Sequence, residues 1–90
     1  MTKEDLVDKM AREAKVTKRA AEAALNSFMS GVRDALKRGE RVSLVGLGTF
    51  FVGRRAARNG RDPRTRARIR IRAMYVPRFR PGQTLRDVVH

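Results

Sequence analysis

The chain has 90 residues, no cysteine, one histidine and a formal net charge of +13 at neutral pH. This length allows one small domain with little room for an independent core. The lack of cysteine excludes disulfides and thiolate metal sites, and no segment approaches the ~20 apolar residues of a membrane span or contains the apolar centre of a secretory signal. We therefore expect a cytoplasmic protein that holds no metal or other cofactor and contacts no membrane.

Two amphipathic helices are predicted first. Apolar residues recur with the 3.6-residue helical period over residues 6–14 and again over residues 21–36. Thr2 and Thr17 stand where helix N-caps are expected, and Gly39 stands just beyond the end of the second helix. The pattern predicts an N-terminal α-hairpin.

Strands follow the helices, so the fold class is predicted to be α+β with a three-stranded antiparallel sheet. Residues 41–45 alternate between polar and apolar side chains, Gly46-Leu47-Gly48 is a turn, and residues 49–52 begin a second strand. Pro81-Gly82 interrupts the chain before a short C-terminal helix. The inward-facing residues of that helix are predicted to be Leu85, Val88 and Val89.

A long β-hairpin, the arm, is predicted over residues 53–75, because this segment has too few large apolar residues to pack on a body of its own. The remainder, residues 1–52 and 76–90, is the body of the same single domain. Asp62-Pro63 fits the first two positions of a type I turn. Residues 66–72 alternate strictly, which places arginines on one side of a strand and apolar residues on the other.

Positive charge is concentrated in the second half of the chain. Residues 53–90 hold twelve arginines, no lysine and two aspartates, whereas residues 1–52 hold ten basic and seven acidic residues. The hairpin turn is expected to close between Asp62 and Thr65. Unless a bulge intervenes, this register pairs Arg55 with Arg72 and Arg61 with Arg66. Arginines held so close repel one another until a polyanion neutralises them, which indicates nucleic-acid binding.

Arginine suits a narrow minor groove, because its flat guanidinium is weakly hydrated. A helix that reads bases in the major groove needs polar side chains at its N-terminal turns, and the second helix offers only Lys18 and Arg19 there before alanines. We therefore expect contacts to phosphates and the minor groove rather than helix-turn-helix recognition. The arm residues predicted to contact DNA are Arg54, Arg55, Arg58, Arg61, Arg64, Arg66, Arg68, Arg70 and Arg72.

The body is predicted to need a second protein surface. Without the arm it has a size at which a lone core is marginal, and its long apolar helical stripe and Phe-rich strand need cover. A two-fold dimer is the simplest solution and presents two arms. The predicted dimer core consists of Phe28, Met29, Val32, Leu36, Leu44, Leu47, Phe50 and Phe79.

No catalytic centre is evident. Cysteine is absent, His90 is terminal, and the acidic residues that precede residue 53 lie mostly at polar positions of helices that also carry Lys and Arg, as on a solvated surface. Gly46-Leu47-Gly48 follows a strand but opens no helix, so it does not fit a phosphate-binding loop. We expect a protein that is not an enzyme and has no small-molecule substrate.

Pro63 has two interpretations. It is either a turn-forming residue or an apolar wedge that enters between base steps and kinks DNA. Composition alone leaves both open.

Three stretches resemble one family. They are Gly46-Leu47-Gly48-Thr49-Phe50, Arg55-Ala56-Ala57-Arg58-Asn59-Gly60-Arg61-Asp62-Pro63-Arg64-Thr65 and Val76-Pro77-Arg78-Phe79-Arg80-Pro81-Gly82. They are similar to the signature of the HU and integration host factor family of bacterial nucleoid-associated proteins, closest to its HU branch, over residues 1–89. The resemblance implies an intertwined dimer whose two arms embrace double-stranded DNA through the minor groove, and so bend and compact it in the nucleoid.

The resemblance also implies roles for single residues. Pro63 stands at the position of the family's intercalating proline. Arg55, Arg58 and Arg61 match arm positions that contact DNA. On the body, the predicted DNA contacts are Lys3, Arg80 and Arg86. The second subunit is either an identical chain, giving a homodimer, or a paralogue.

The sequence departs from the family pattern at several positions. Position 53, commonly basic, is Gly53, which removes a contact and is expected to loosen the base of the arm. Position 66, usually glycine, is Arg66, which is strained if the backbone there has a positive φ. The run Arg68–Arg72 adds charge to a strand that is often acidic, and Gln83 replaces a frequent lysine.

Two other functions share the charge pattern. An RNA-binding or ribosome-associated protein should carry aromatic stacking platforms, and the arm has no aromatic residue between Val52 and Met74. A structural dimer whose hairpin touches acidic proteins or lipids is disfavoured, in its lipid version, by the lack of apolar anchors. The sequence favours duplex binding with little sequence specificity and a preference for nicked or distorted DNA.

Overall fold

The computed structural model describes all 90 residues. In chain order, the elements are α1 (Lys3–Ala14), α2 (Lys18–Lys37), β1 (Val42–Leu44), β2 (Gly48–Arg55), β3 (Arg58–Arg61), β4 (Arg68–Ile71), β5 (Met74–Pro81) and α3 (Gln83–Val89). The predicted α+β fold is confirmed. None of the three helices combines the length and the apolar character needed to cross a bilayer. The chain divides into two compact units, Met1–Asp34 and Ala35–His90.

Both predicted N-caps of the long helices are present. The Thr2 hydroxyl accepts the Asp5 N–H, and the Asp5 carboxylate accepts the Thr2 N–H at 2.8 Å, which forms a capping box on α1. The Thr17 hydroxyl accepts the Ala20 N–H at 3.1 Å at the start of α2. Each bond satisfies a backbone donor that has no partner within the helix.

Gly39 lies just beyond the end of α2, as predicted, and the helix itself ends at Lys37. The Gly39 backbone has φ +78°, and the N–H groups of Gly39 and Glu40 donate to the carbonyls of Leu36 and Ala35, both at 2.9 Å. This is the Schellman arrangement, in which a left-handed residue turns the chain out of the helix.

The first unit has a small core. Val7, Ala11 and Ala21 are the buried residues, and Met10 and Leu25 pack against them while partly exposed. No large side chain of the chain is fully buried. Because two of these three buried residues are alanines, the unit removes little apolar surface from water.

The second unit contains an antiparallel sheet of order β1-β2-β5 with two unlike faces. On one face, Phe50 pairs with Phe79 and their ring centroids lie 4.8 Å apart. Gly48 lets Phe79 approach, since a Cβ at position 48 would lie 2.7 Å from the Phe79 Cζ. Val42, Leu44, Val52, Pro77 and Pro81 also lie on this face. We call it the apolar face, and the opposite one the cationic face.

The arm is built from two ladders. β2 and β5 pair as far as Arg55 with Met74, and β3 and β4 pair separately from Arg58–Ile71 to Arg61–Arg68. The ladder is interrupted at Ala56-Ala57 on one strand and Arg72-Ala73 on the other. Two residues are unpaired on each strand, so the register is the same on both sides and no bulge is present.

The predicted register was wrong. Asp62 bonds to Ala67 rather than closing with Thr65, because its N–H donates to the Ala67 carbonyl at 2.9 Å. Arg61 therefore faces Arg68, not Arg66, and Arg55 faces Met74, not Arg72. The regular strand also begins at Arg68, since the first residues of the alternating segment belong to the loop.

The C-terminal helix differs from its prediction in one respect. Leu85 is half-buried, as expected of an inward-facing residue. Val88 and Val89 were predicted to face inward, but they are 76% and 77% exposed. The helix has only seven residues, and no other part of this chain covers the two valines of its last turn.

Candidate nucleic-acid interface

The β3–β4 ladder of the arm, next to its tip, presents an arginine face. Because side chains alternate across a strand, the cross-strand pairs Asn59–Arg70 and Arg61–Arg68 share one side of the β3–β4 ribbon. The Asn59 Oδ1 lies 3.5 Å from the Arg70 Nη1, at the limit of a hydrogen bond. Three exposed guanidinium groups thus stand together on this side.

The other side of the ribbon is apolar except for Arg58. Ile69 and Ile71 lie over Gly60, where an added Cβ would be 2.7 Å from the Ile71 Cδ1. Ile69 is still 42% exposed. The predicted division of this strand into an arginine side and an apolar side is confirmed for residues 68–71.

Hydrogen bonds that Asp62 accepts shape the tip of the arm. Its carboxylate accepts the Arg64 N–H at 2.8 Å, and its carbonyl accepts the Arg66 N–H at 2.7 Å. Pro63 follows Asp62 directly and is exposed, at the end of the hairpin. The loop is therefore preorganised around one aspartate, with the proline ring presented outward.

Arg66 adopts the left-handed conformation in which a residue with a side chain is strained. Its φ is +58°, a region that costs a non-glycine residue about 1 kcal/mol or more. The Arg66 N–H donates to the Asp62 carbonyl, which fixes this residue within the loop at the tip. The strain is local to the loop.

The strands pair continuously past Gly53, and the predicted loosening of the arm's base stays a prediction. β2 pairs with β5 through Gly53–Val76 and on to Arg55–Met74. The structure instead places the side chain of Arg78 across the glycine, where an added Cβ would be 2.7 Å from the Arg78 Cδ. Arg78 was not among the predicted site residues, because a contact on the diagonal of a ladder depends on register.

Arg54 and Arg55 diverge. Arg54 pairs with Tyr75 on the side of the sheet that carries Val52, whereas Arg55 lies on the cationic face with Arg78 and Arg80. Two adjacent arginines predicted to contact DNA therefore point to opposite sides at the arm's base. A ligand that binds one side of the sheet can therefore contact only one of these two arginines.

The predicted body residues are exposed but differ in their surroundings. Lys3 lies 4.0 Å from the Glu22 carboxylate, so part of its charge is balanced within the first unit. Arg86 lies in the last turn of α3, where a cation suits the helix dipole. Arg80 stacks on Phe51, with its Cζ 5.3 Å from the ring centroid.

All ion pairs of the structure lie outside the arm. Those present join Lys3 to Glu22, Lys9 to Glu13, Lys18 to Asp8 and Arg38 to Glu40. Hydrogen bonds from Lys9 and Arg38 lower the pKa of the Glu13 and Glu40 carboxyls below their usual range. No arginine of residues 53–75 has a carboxylate within ion-pair distance, so their charge is available to an external anion.

The whole chain matches one family and several individual relatives. The family model described as bacterial DNA-binding protein covers residues 1–90. The chain is 49% identical to DNA-binding protein HU-alpha of Vibrio proteolyticus, covering 99% of each chain, and 48% identical to HU-beta of Escherichia coli strain K12, covering all of both.

Solved structures give the same result. The Anabaena HU–DNA cocrystal structure superposes with a TM-score of 0.91 at 40% identity, covering 99% of this chain and 97% of that one. HU from Thermotoga maritima superposes with a TM-score of 0.72 at 28% identity over the full length of both. The chain belongs to the bacterial DNA-binding protein family and, within it, to the HU proteins.

Proposed function

We propose that this protein is a histone-like architectural protein whose homodimer binds double-stranded DNA through phosphates and the minor groove, with little sequence specificity, and bends and compacts it. The observation that carries this proposal is the set of exposed arm arginines without a carboxylate partner. A polyanion removes the mutual repulsion of these arginines. The HU relatives are named as DNA-binding proteins, and the polyanion that DNA offers is its phosphate backbone.

The arm offers contacts to the backbone rather than a code for bases. Sequence readout needs bidentate amide or guanidinium contacts to base edges in the major groove. The only amide side chain of the arm, Asn59, already lies beside Arg70. Arginines on a two-stranded ribbon instead suit the minor groove, whose donor and acceptor pattern is degenerate. We therefore expect binding that varies little among unrelated sequences.

A homodimer is supported by the apolar surface that one chain leaves uncovered. Phe28 is 44%, Leu47 40% and Phe79 40% exposed, in a chain without any fully buried large side chain. The proposed dimer core comprises these three residues with Met29, Val32, Leu36, Leu44 and Phe50. A second copy would cover them and supply a second arm, while a paralogue would serve equally well.

Bending is assigned to Pro63. The proline is exposed at the tip, and its neighbour Asp62 holds the loop by three hydrogen bonds. An apolar ring inserted between base pairs costs a few kcal/mol of unstacking, which contacts along the bent duplex offset. DNA that is already nicked or kinked avoids part of this cost. Residues 53–75 thus act as the DNA-binding arm of a single domain in the nucleoid of the cytoplasm, with no catalytic role.

The test is the affinity of the protein for linear, nicked and four-way-junction DNA of equal length at two salt concentrations. We expect the nicked and junction forms to bind more tightly than the linear form at both. All three affinities should fall steeply with salt. Equal affinity for the three forms would remove the bending proposal, and a strict preference for one linear sequence would remove the architectural one.

A further inference from the structure

The arm contains an asparagine that is followed directly by a glycine. Asn59 is exposed on the arginine face of the β3–β4 ribbon, and Gly60 is the next residue of β3. The amide carbon of an asparagine is an electrophile, which the backbone nitrogen of the following residue can attack to close a succinimide ring. Glycine favours this attack, because it has no side chain to obstruct the approach and its backbone is the least restricted. Asn26, the other asparagine of the chain, is also exposed but precedes Ser27 within α2.

The closed ladder keeps the two reacting atoms apart, so the attack requires local opening of the ribbon. In an extended strand the Asn59 side chain projects from the ribbon, whereas the Gly60 nitrogen lies in the plane of the ladder. The ribbon has four residue pairs and no third strand beside it. Isolated two-stranded ribbons are at best marginally stable in water. Opening of this ladder is therefore a frequent event compared with unfolding of the body.

Little apolar contact opposes the opening. The apolar cover of the ribbon consists of Ile69 and Ile71, which lie over Gly60. Ile69 remains 42% exposed, and the glycine offers no side chain for either isoleucine to pack against. Opening at Gly60 thus exposes only a small additional apolar area to water.

Cations surround the Asn59 amide in both the closed and the open ribbon. In the closed ribbon, the Arg70 Nη1 lies 3.5 Å from the Asn59 Oδ1. Arg58 and Arg61 flank the Asn59-Gly60 pair in the chain, so they stay close after the strands separate. The attack places negative charge on the Gly60 nitrogen as it loses its proton, and then on the oxygen of the tetrahedral intermediate. Nearby positive charge stabilises both.

We propose that Asn59-Gly60 is a self-modification site, at which the Gly60 nitrogen displaces ammonia from Asn59 and a carboxylate replaces the amide on the arginine face. A bond forms between the Gly60 nitrogen and the Asn59 Cγ, and the bond from Cγ to the amide nitrogen breaks. Ammonia leaves with that nitrogen and the proton of the Gly60 N–H. Water then opens the succinimide at either of its two carbonyls, which gives aspartate or isoaspartate. Water is the only other reactant.

Either product weakens phosphate binding by the arm, a consequence that rests on the proposed function. Strands β3 and β4 contain no carboxylate before the reaction. The new carboxylate lies beside Arg70 and pairs with it, so one guanidinium is no longer available to a phosphate. Isoaspartate also adds an atom to the β3 backbone, which disturbs the ladder register. A duplex bound to the closed ribbon lowers the open population by mass action. Arms that remain free of DNA therefore lose affinity with time.

The modification itself is tested without DNA. The wild-type protein is incubated at physiological temperature and mildly alkaline pH, and both asparagines are followed by peptide mass spectrometry and by enzymatic methylation of isoaspartate. We expect a carboxylate to accumulate at position 59 while Asn26 remains an amide. Gly60→Ala should lose most of this accumulation, and its added Cβ would meet only the movable end of the Ile71 side chain. An Asn59 amide that lasts as long as that of Asn26 would overturn the proposal, as would equal accumulation in Gly60→Ala. The DNA-binding role of the arm would stand in both cases.

The consequence for binding is tested with a duplex. Saturation of the wild-type protein with duplex should slow the accumulation at position 59. Asn59→Asp should lower the magnitude of the slope of log K against log salt by about 0.9, for the one phosphate that is no longer neutralised, relative to Asn59→Gln, which keeps a neutral amide. Equal rates with and without duplex, or equal slopes in the two variants, would overturn the consequence. Wild-type binding without salt dependence would instead contradict the proposed function itself.

Discussion

The two units of this chain use charge in opposite ways. Residues 1–34 carry seven basic and six acidic side chains, a net of +1, whereas residues 35–90 carry fifteen basic and three acidic ones, a net of +12. Three ion pairs lie in the first unit and one in the second. The helical unit balances its own charges, while the second unit leaves its charge for a partner.

The units also differ in what stabilises them. The helical unit relies on caps and on a small core around Ala21. The β3–β4 ribbon relies on its backbone ladder, on two isoleucines over Gly60 and on the hydrogen bonds of Asp62. Changes in the caps and core of the first unit should therefore affect stability, and changes in the arm arginines of the second should affect DNA binding.

The largest effect is expected from neutralising the arginine face of the arm. The triple variant Arg61→Gln, Arg68→Gln and Arg70→Gln should weaken duplex binding on the order of a hundredfold in low salt, because charge-assisted hydrogen bonds contribute about 1.5 kcal/mol each and are only partly additive. Fluorescence anisotropy with a labelled duplex measures the change. The matched control neutralises Arg12, Arg19 and Arg33 on the helices. Equal decreases in affinity in the two triple variants would show that net charge alone matters.

Replacement of the arm-tip proline should have a smaller and more selective effect. In Pro63→Ala, the preference for nicked over intact DNA is expected to fall about tenfold, since removing the wedge forfeits a kink worth at least about 1.4 kcal/mol. Affinity for intact linear DNA should change little. Pro77→Ala, in the edge strand β5, is the control. Loss of all binding in Pro63→Ala would mean that the proline holds the shape of the arm instead.

In the helical unit, loss of the α2 cap should lower stability without affecting binding. Thr17→Ala removes the 3.1 Å hydrogen bond to the Ala20 N–H and is expected to cost about 1 kcal/mol of unfolding free energy. Urea denaturation measures this cost, and Thr17→Ser, which keeps the hydroxyl, should behave as wild type. A change in DNA affinity of the folded Thr17→Ala protein would break the separation between the units.

The smallest effect concerns the strained residue of the tip. Arg66→Gly should relieve the positive φ and strengthen the loop by roughly 0.5–1 kcal/mol, seen as slower hydrogen exchange of the backbone amides at positions 62 and 66. Arg64→Gly removes the same charge at a residue without a positive φ and should instead speed exchange. Faster exchange in both variants would show that Arg66 is not strained.

Sequence periodicity predicted the elements well but not the arm's register. The alternation of Arg68–Ile71 has a period of two, so a shift of the partner strand by two residues leaves every side chain on the same face. The expected closure at Thr65 and the observed one at Ala67 differ by such a shift. Only the loop decides between them, through the Asp62 bonds and the left-handed Arg66.

Side-chain contacts between strands could not be predicted from the sequence for a related reason. The position of Arg78 across Gly53 and the stacking of Arg41 on Phe51 follow from a pairing that no single strand reveals. Val88 and Val89 are exposed because no other residues of this chain cover the last turn of the seven-residue C-terminal helix. The apolar pattern of the helix alone does not show whether such a covering surface is present. Caps, by contrast, are local, and Thr2, Thr17 and Gly39 were all predicted correctly.

We expect the arginines of the second unit that form no ion pair to bind phosphates regardless of base sequence. The decisive measurement is the affinity of the wild-type protein for several unrelated duplexes of equal length, each at a series of salt concentrations. We expect one common, steep slope of log K against log salt, about −0.9 for each phosphate neutralised. A flat slope, or slopes and affinities that differ strongly from one sequence to another, would contradict it.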